Sequence, residues 1–192
     1  MKRLFMNVLL ASSMAVGSAA FASNVQAKET APLIVTVSKA DLSDIMDMKV
    51  VDQKGKKVNL KDLVAENDVT LLNFWGTFCS PCTEEMPILD KLAKKYEDQG
   101  FGVIGLCVDV ADEKGKLDKD ELEAVDDILD TTKVTYPIVY PMPNMQSKLK
   151  LGIFPTTYFV DKKGNAITDA IYGSKDSEGW EKEIKSCLKK VK

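Results

Sequence analysis

Residues 69–75, VTLLNFW, and 101–108, FGVIGLCV, are apolar at almost every position. Runs this short and this apolar are expected of strands buried on both faces of a sheet. Between them Met86, Leu89, Leu92 and Tyr96 recur at helical spacing. That stripe predicts a helix from about residue 81 to 98, with Gly100 marking its end. Upstream, Gln53-Lys54-Gly55 separates segments 48–51 and 56–60 and predicts a hairpin, while 33–37 is a candidate short strand. Downstream, Asp118 and Glu121 have capping-box spacing ahead of Leu122, Val125, Ile128 and Leu129, predicting a helix to about residue 131. Residues 136–140 form a third apolar run with Pro137 near its start, and a short helix is expected over 145–150. Segments 156–160 and 166–172 flank Asp161-Lys-Lys-Gly164 as a second hairpin. The chain closes with a helix carrying Trp180, Ile184, Cys187, Leu188 and Val191 on one side. This order of elements predicts an α/β protein with a central mixed β-sheet flanked by helices.

The first residues break from that alternation. Lys2 and Arg3 precede a run of small and aliphatic residues ending in Ala20-Phe21-Ala22, the layout of a secretory signal peptide over 1–22. Val25-Gln26-Ala27 offers an alternative cleavage after 27, and an uncleaved membrane anchor is the rival reading. Asn7, Ser12, Ser13, Gly17 and Ser18 argue against a spanning helix. Residues 23–45 are expected to be a loosely held leader and 46–192 a single domain, large enough for one core. The protein is accordingly expected outside the cytoplasm, periplasmic or extracytoplasmic, where disulfides persist.

Composition removes several chemistries. The chain has no histidine, which excludes Ser-His-Asp and Cys-His catalysis and imidazole metal ligation. Arg3 is the only arginine, and the formal net charge is −3, becoming more negative once Lys2 and Arg3 are lost. Such a chain has no general attraction for nucleic acid. No phosphate-binding glycine loop and no internal repeat are present.

What remains is cysteine. Cys79 and Cys82 bracket Ser80-Pro81 where the first buried strand hands over to a helix. A helix N-terminus lowers a thiol's pKa through its dipole and free N–H groups, and proline is tolerated in the first turn. Cys79 is therefore expected to attack a substrate disulfide, and Cys82, deeper in the first turn, to resolve the mixed disulfide. A structural zinc site needs four ligands, but Cys107 and Cys187 stand singly. A purely structural bridge across so small a loop gains little from chain entropy. Cys107 and Cys187 are candidates for a second disulfide or for two buried thiols.

With these residues in place, the chain resembles the TlpA/ResA-like thiol-disulfide oxidoreductases of the thioredoxin superfamily over about residues 46–191. Asn-Phe-Trp-Gly-Thr-Phe-Cys-Ser-Pro-Cys (73–82) is similar to the family's active-site run, and Pro87 to its helix-bending proline. Phe154-Pro155-Thr156 resembles the segment whose proline is cis and faces the cysteines. The 161–164 turn and Gly173 fit the closing hairpin. The resemblance implies a thioredoxin-like fold with an N-terminal hairpin and an inserted central segment, and a thiol-disulfide exchange activity without a cofactor. It implies that Glu85 tunes the thiols and relays protons, and that Trp75, Phe154, Pro155 and Thr156 contact substrate. Asn73 stands where cytoplasmic thioredoxins carry a buried aspartate. Ser80-Pro81 lacks the histidine of oxidases of the DsbA kind, which leans towards a reductant or a mild redox carrier. The implied partners are disulfide-bearing exported proteins, apocytochrome c among them, and a membrane electron donor of the CcdA/DsbD type. A monomer is expected.

Of three other readings, the first fails on the sequence and two remain in view. A peroxiredoxin requires a Pro-x-x-x-Thr/Ser frame that positions 72 and 76, Leu72 and Gly76, do not supply. A thioredoxin-fold copper chaperone of the Sco kind uses CxxxC with a histidine. A redox-sensing binding module would use the pair without turnover.

Overall fold

In the computed structural model the described residues are 41–112, 116–141 and 145–192, and they fall in one compact unit, Thr36–Lys192. The signal peptide, its cleavage positions and the 33–37 strand lie outside the described residues. Among the described residues no helix is long and apolar enough to cross a membrane.

Among the described residues seven strands form one mixed sheet: β1 (Lys49–Asp52), β2 (Lys57–Asn59), β3 (Val69–Trp75), β4 (Phe101–Cys107), β5 (Ile138–Pro141), β6 (Thr156–Asp161) and β7 (Ile171–Tyr172). Their order is β2-β1-β5-β4-β3-β6-β7. β3, β4 and β5 run parallel, and antiparallel strands extend the sheet on both sides. The α-helices among the described residues are α1 (Ser43–Met46), α2 (Leu60–Val64), α3 (Ser80–Tyr96), α4 (Lys119–Thr132), α5 (Met145–Leu149) and α6 (Ser177–Val191).

Strand alternation divides the core in two. Leu71 and Trp75 of β3, Val103 and Cys107 of β4, and Phe159 of β6 share one cluster with α3 and α6. Leu72, Phe74, Ile104, Leu106 and Val160 point the opposite way and meet α1, α2 and Met145 of α5. Every residue of β3 is buried, as its unbroken apolar run requires. α3 and α6 pack on each other, α3 also covering β4 while α6 reaches β3.

Several boundaries differ from the sequence pattern for identifiable reasons. Leu42, Ile45 and Met46 are core residues, so the packed domain starts before residue 46. Lys57–Asn59 is all that remains of the second hairpin arm, because Leu60 begins a helix and turns into the core. β5 starts at Ile138, since Pro137 has no N–H, although its carbonyl accepts from Gly105 N at 2.9 Å. The second arm of the closing hairpin keeps only Ile171–Tyr172 as a strand, plus an isolated Val160–Ala166 bridge. Asp161 builds its turn by accepting from Lys163 N at 2.8 Å and Asn165 N at 2.9 Å, and Gly164 takes a φ of +86°. Asp118 caps α4 as expected, accepting from Asp120 N at 2.9 Å, but Glu121 turns elsewhere.

Candidate active site

Cys79 is the N-cap of α3 and Cys82 lies in its first turn. The two are joined in a disulfide with their Cα atoms 5.3 Å apart. Cys79 is 5% exposed and Cys82 fully buried, so the bridge presents one sulfur to the surface and the other to the core. Pro81 sits where the helix has free N–H groups and costs no bond.

Glu85 follows Cys82 by one turn on the same buried face of α3, and only 1% of it is exposed. Its Oε1 accepts from Asn73 Nδ2 at 2.9 Å and its Oε2 from Trp180 Nε1 at 3.1 Å. Asn73 is held in turn by Thr157 Oγ1 at 3.2 Å, which ties β3, β6, α3 and α6 through one carboxylate. Burial pushes Glu85 up to about 7, opposed by the donors from Asn73, Trp180 and the backbone of Lys175. A carboxylate with that affinity exchanges protons readily at neutral pH.

The rim of the site comes from the β6 approach. The Phe154-Pro155 bond is cis. Phe154 meets the ring of Phe78 edge-on at 5.7 Å, bringing this loop to the residue directly before Cys79. Phe78 is 67% and Ile153 56% exposed, forming an apolar surface beside the disulfide. Phe78 stands inside the 73–82 run quoted from the sequence, which gave it no role of its own.

Two of the expected substrate-contact residues have other surroundings. Trp75 is fully buried, close enough to Gly105 that a Cβ there would lie 3.2 Å from Nε1. Its side chain is therefore a wall of the core, on the face of β3 that packs against α3 and α6. Thr156 is also buried, and its hydroxyl donates to Ile153 O, bracing the proline loop from within.

The bridge considered between Cys107 and Cys187 is not formed, and both are buried free thiols. They share a core cluster, and α6, which carries Cys187, packs on α3 and β3. Cys107 donates to Asp109 Oδ1 at 3.2 Å, and burial, with the Asp109 charge second, raises its pKa far above the ordinary thiol range. Burial likewise pushes Cys187 up to about 11. Neither is suited to nucleophilic work.

Asp109 also grips the active-site loop. Its Oδ2 accepts from Thr77 N at 2.8 Å and lies 2.7 Å from Thr77 Oγ1, which is also 2.8 Å from Glu121 Oε2. The single hydroxyl hydrogen serves one carboxylate at a time. Glu121 thus links α4 to the loop instead of closing its own capping box.

A CxxC disulfide at a helix N-terminus, beside a cis-proline loop on a mixed sheet, defines a thioredoxin-fold thiol-disulfide oxidoreductase. Residues 43–167 match the AhpC/TSA family. The chain is 31% identical over 144 residues to thiol-disulfide oxidoreductase ResA of Bacillus thuringiensis, covering 74% of this chain and 73% of that one. It is also 31% identical over 138 residues to thioredoxin-like protein YneN of Bacillus subtilis, covering 72% and 75%. In fold it is similar to the thioredoxin domain of a thiol-disulfide oxidoreductase from Bacteroides vulgatus, with a TM-score of 0.58, 20% identity and coverage of 73% and 92%. A thiol:disulfide interchange protein from Chlorobium tepidum gives a TM-score of 0.54 at 20% identity, covering 79% and 99%. The chain belongs to the AhpC/TSA family and, within it, to the ResA-like thiol-disulfide oxidoreductases of the thioredoxin superfamily.

Proposed function

We propose that this oxidoreductase works in the reducing direction, outside the cytoplasm, on disulfides of exported proteins. The observation that carries this reading is Glu85, a buried carboxylate one turn below Cys82 that is held near neutrality. In the dithiol form, Cys79 thiolate attacks a substrate disulfide and forms a mixed disulfide, expelling the first substrate thiolate, which takes up a proton. Glu85 then removes the proton from Cys82, whose thiolate attacks Cys79 Sγ. The second substrate thiolate leaves and is protonated, and the Cys79–Cys82 bridge is restored. Two electrons pass to the substrate, which leaves as a dithiol.

The apolar surface of Phe78 and Ile153 suits an unfolded or extended substrate segment, with the backbone at Phe154 and Pro155 as its edge. Ser80-Pro81 supplies no cation to lower the Cys79 pKa to an oxidase's range. The N-terminal signal pattern supports export, and a membrane thiol transporter of the CcdA/DsbD type would restore the dithiol. Apocytochrome c, in cytochrome c maturation, is one substrate of the required kind.

Redox titration with a disulfide-reduction assay tests the reading. The wild-type couple should lie below about −200 mV, and Cys79→Ser should abolish reduction. Cys82→Ser should accumulate the mixed disulfide. A couple near about −120 mV would reverse the direction, and turnover equal to that of the serine variants would remove the reading altogether.

A further inference from the structure

We propose that Trp180, on the C-terminal helix, is a positioning residue for this chemistry: its indole N–H holds the Glu85 carboxylate in its proton-accepting state. The inference rests on the reading that Glu85 takes the proton from Cys82.

The helical pattern places Trp180 on the apolar stripe of α6, where any large ring would serve packing. The ring does pack, tilted against Phe159 with centroids 6.4 Å apart. Its N–H has a separate role. Trp180 is fully buried, and its Nε1 lies 3.1 Å from Glu85 Oε2. The other tryptophan, Trp75, is equally buried, yet its Nε1 has no protein partner. The same fold thus tolerates an unpaired indole at one site while aiming the second at the acid.

The forces on Glu85 show why a neutral donor matters. Desolvation raises its proton affinity, and the opposition comes from neutral groups: the Asn73 amide, the Trp180 indole and the Lys175 N–H. Lys175 brings its backbone to the carboxylate while its amine turns to Glu183, 3.4 Å away. The titratable neighbours are Cys82 on the same helix and Tyr136 ahead of β5, whose hydroxyl is kept protonated by burial and by the charges of Glu85 and Asp90. Neither Cys82 nor Tyr136 offers a positive charge. Hydrogen bonds to an ionised buried carboxylate are among the stronger ones in proteins. Two of the three come from residues 175–180, so the approach to α6 sets much of Glu85's charge.

The test is the pH profile of mixed-disulfide resolution in Trp180→Phe, which keeps a buried ring and removes the donor. Its midpoint should rise by about one pH unit, a tenfold slower resolution on the acid side. Trp180→Phe added to Glu85→Gln should cause no further shift. If Glu85→Gln flattens the profile but Trp180→Phe leaves the midpoint in place, the inference is overturned and the Glu85 reading survives. A wild-type profile in Glu85→Gln would instead remove that reading. A second measurement needs no variant. Across roughly pH 5 to 9 one of the two indole ¹⁵N–H resonances should move with Glu85's midpoint. Two indoles that stay still would also overturn the proposal.

Discussion

Glu85 carries an electrostatic burden that can be read as stability. Its folded pKa of about 7 lies above the ordinary 4.5, so between these values the native state binds more protons than the unfolded chain. Stability from this group is complete below about 4.5 and is lost as pH rises through about 7, a loss of roughly 3 kcal/mol. Denaturant unfolding of the oxidised protein should show this decline, and Glu85→Gln should not. Asp90 and Asp161, whose pKa values are lowered, titrate below that window. The importance of position 85 was legible only through resemblance, because a glutamate in a helix's first turns is ordinarily a solvated dipole partner. What distinguishes it is the pair of donors from Asn73 and Trp180, the latter 95 residues away. No local pattern encodes such a distance. Phe78 was visible only as a member of the 73–82 run, because an apolar residue in a sequence does not report that the fold leaves it outside.

Among the elements, α4 illustrates how a segment outside the central sheet reaches the reacting atoms. Its Glu121 and the β4-adjacent Asp109 converge on Thr77, two residues before Cys79. Asp109→Ala should leave Thr77 N and the Cys107 thiol without their acceptor. We expect a loss of about 1–3 kcal/mol, measured by thermal unfolding, together with faster hydrogen exchange at the Thr77 amide. Equal exchange in both proteins would mean that the loop is held by other contacts. The long helices and strands were legible because a 3.6-residue stripe marks α3 and α6, and unbroken apolar runs mark β3 and β4. α1 and α2 were not: at four and five residues they show no helical stripe, and they fall in or beside segments whose pattern reads as leader and hairpin arm.

At the scale of the molecule, the sheet separates chemistry from support. All four cysteines belong to the cluster beneath α3 and α6, and Trp180 joins them there. The opposite cluster is built of packing residues such as Leu72, Phe74 and Ile104, and it meets the site where Phe154 packs against it. Leu72→Ala should therefore cost about 2–5 kcal/mol in denaturant unfolding, yet leave the pH midpoint of resolution unchanged in the folded protein. A shifted midpoint would show that the two faces are mechanically coupled. This division also bears on how the chain acquires its bridge. Four free thiols allow three fully paired isomers, and an unfolded chain meeting an oxidant has no means of choosing among them beyond proximity along the backbone. Once Cys107 and Cys187 are enclosed, oxidants are left with one accessible product. The timing of sheet closure relative to oxidation then decides the yield of correctly bridged protein. Oxidant added after collapse should give a more uniform preparation than oxidant present from the start.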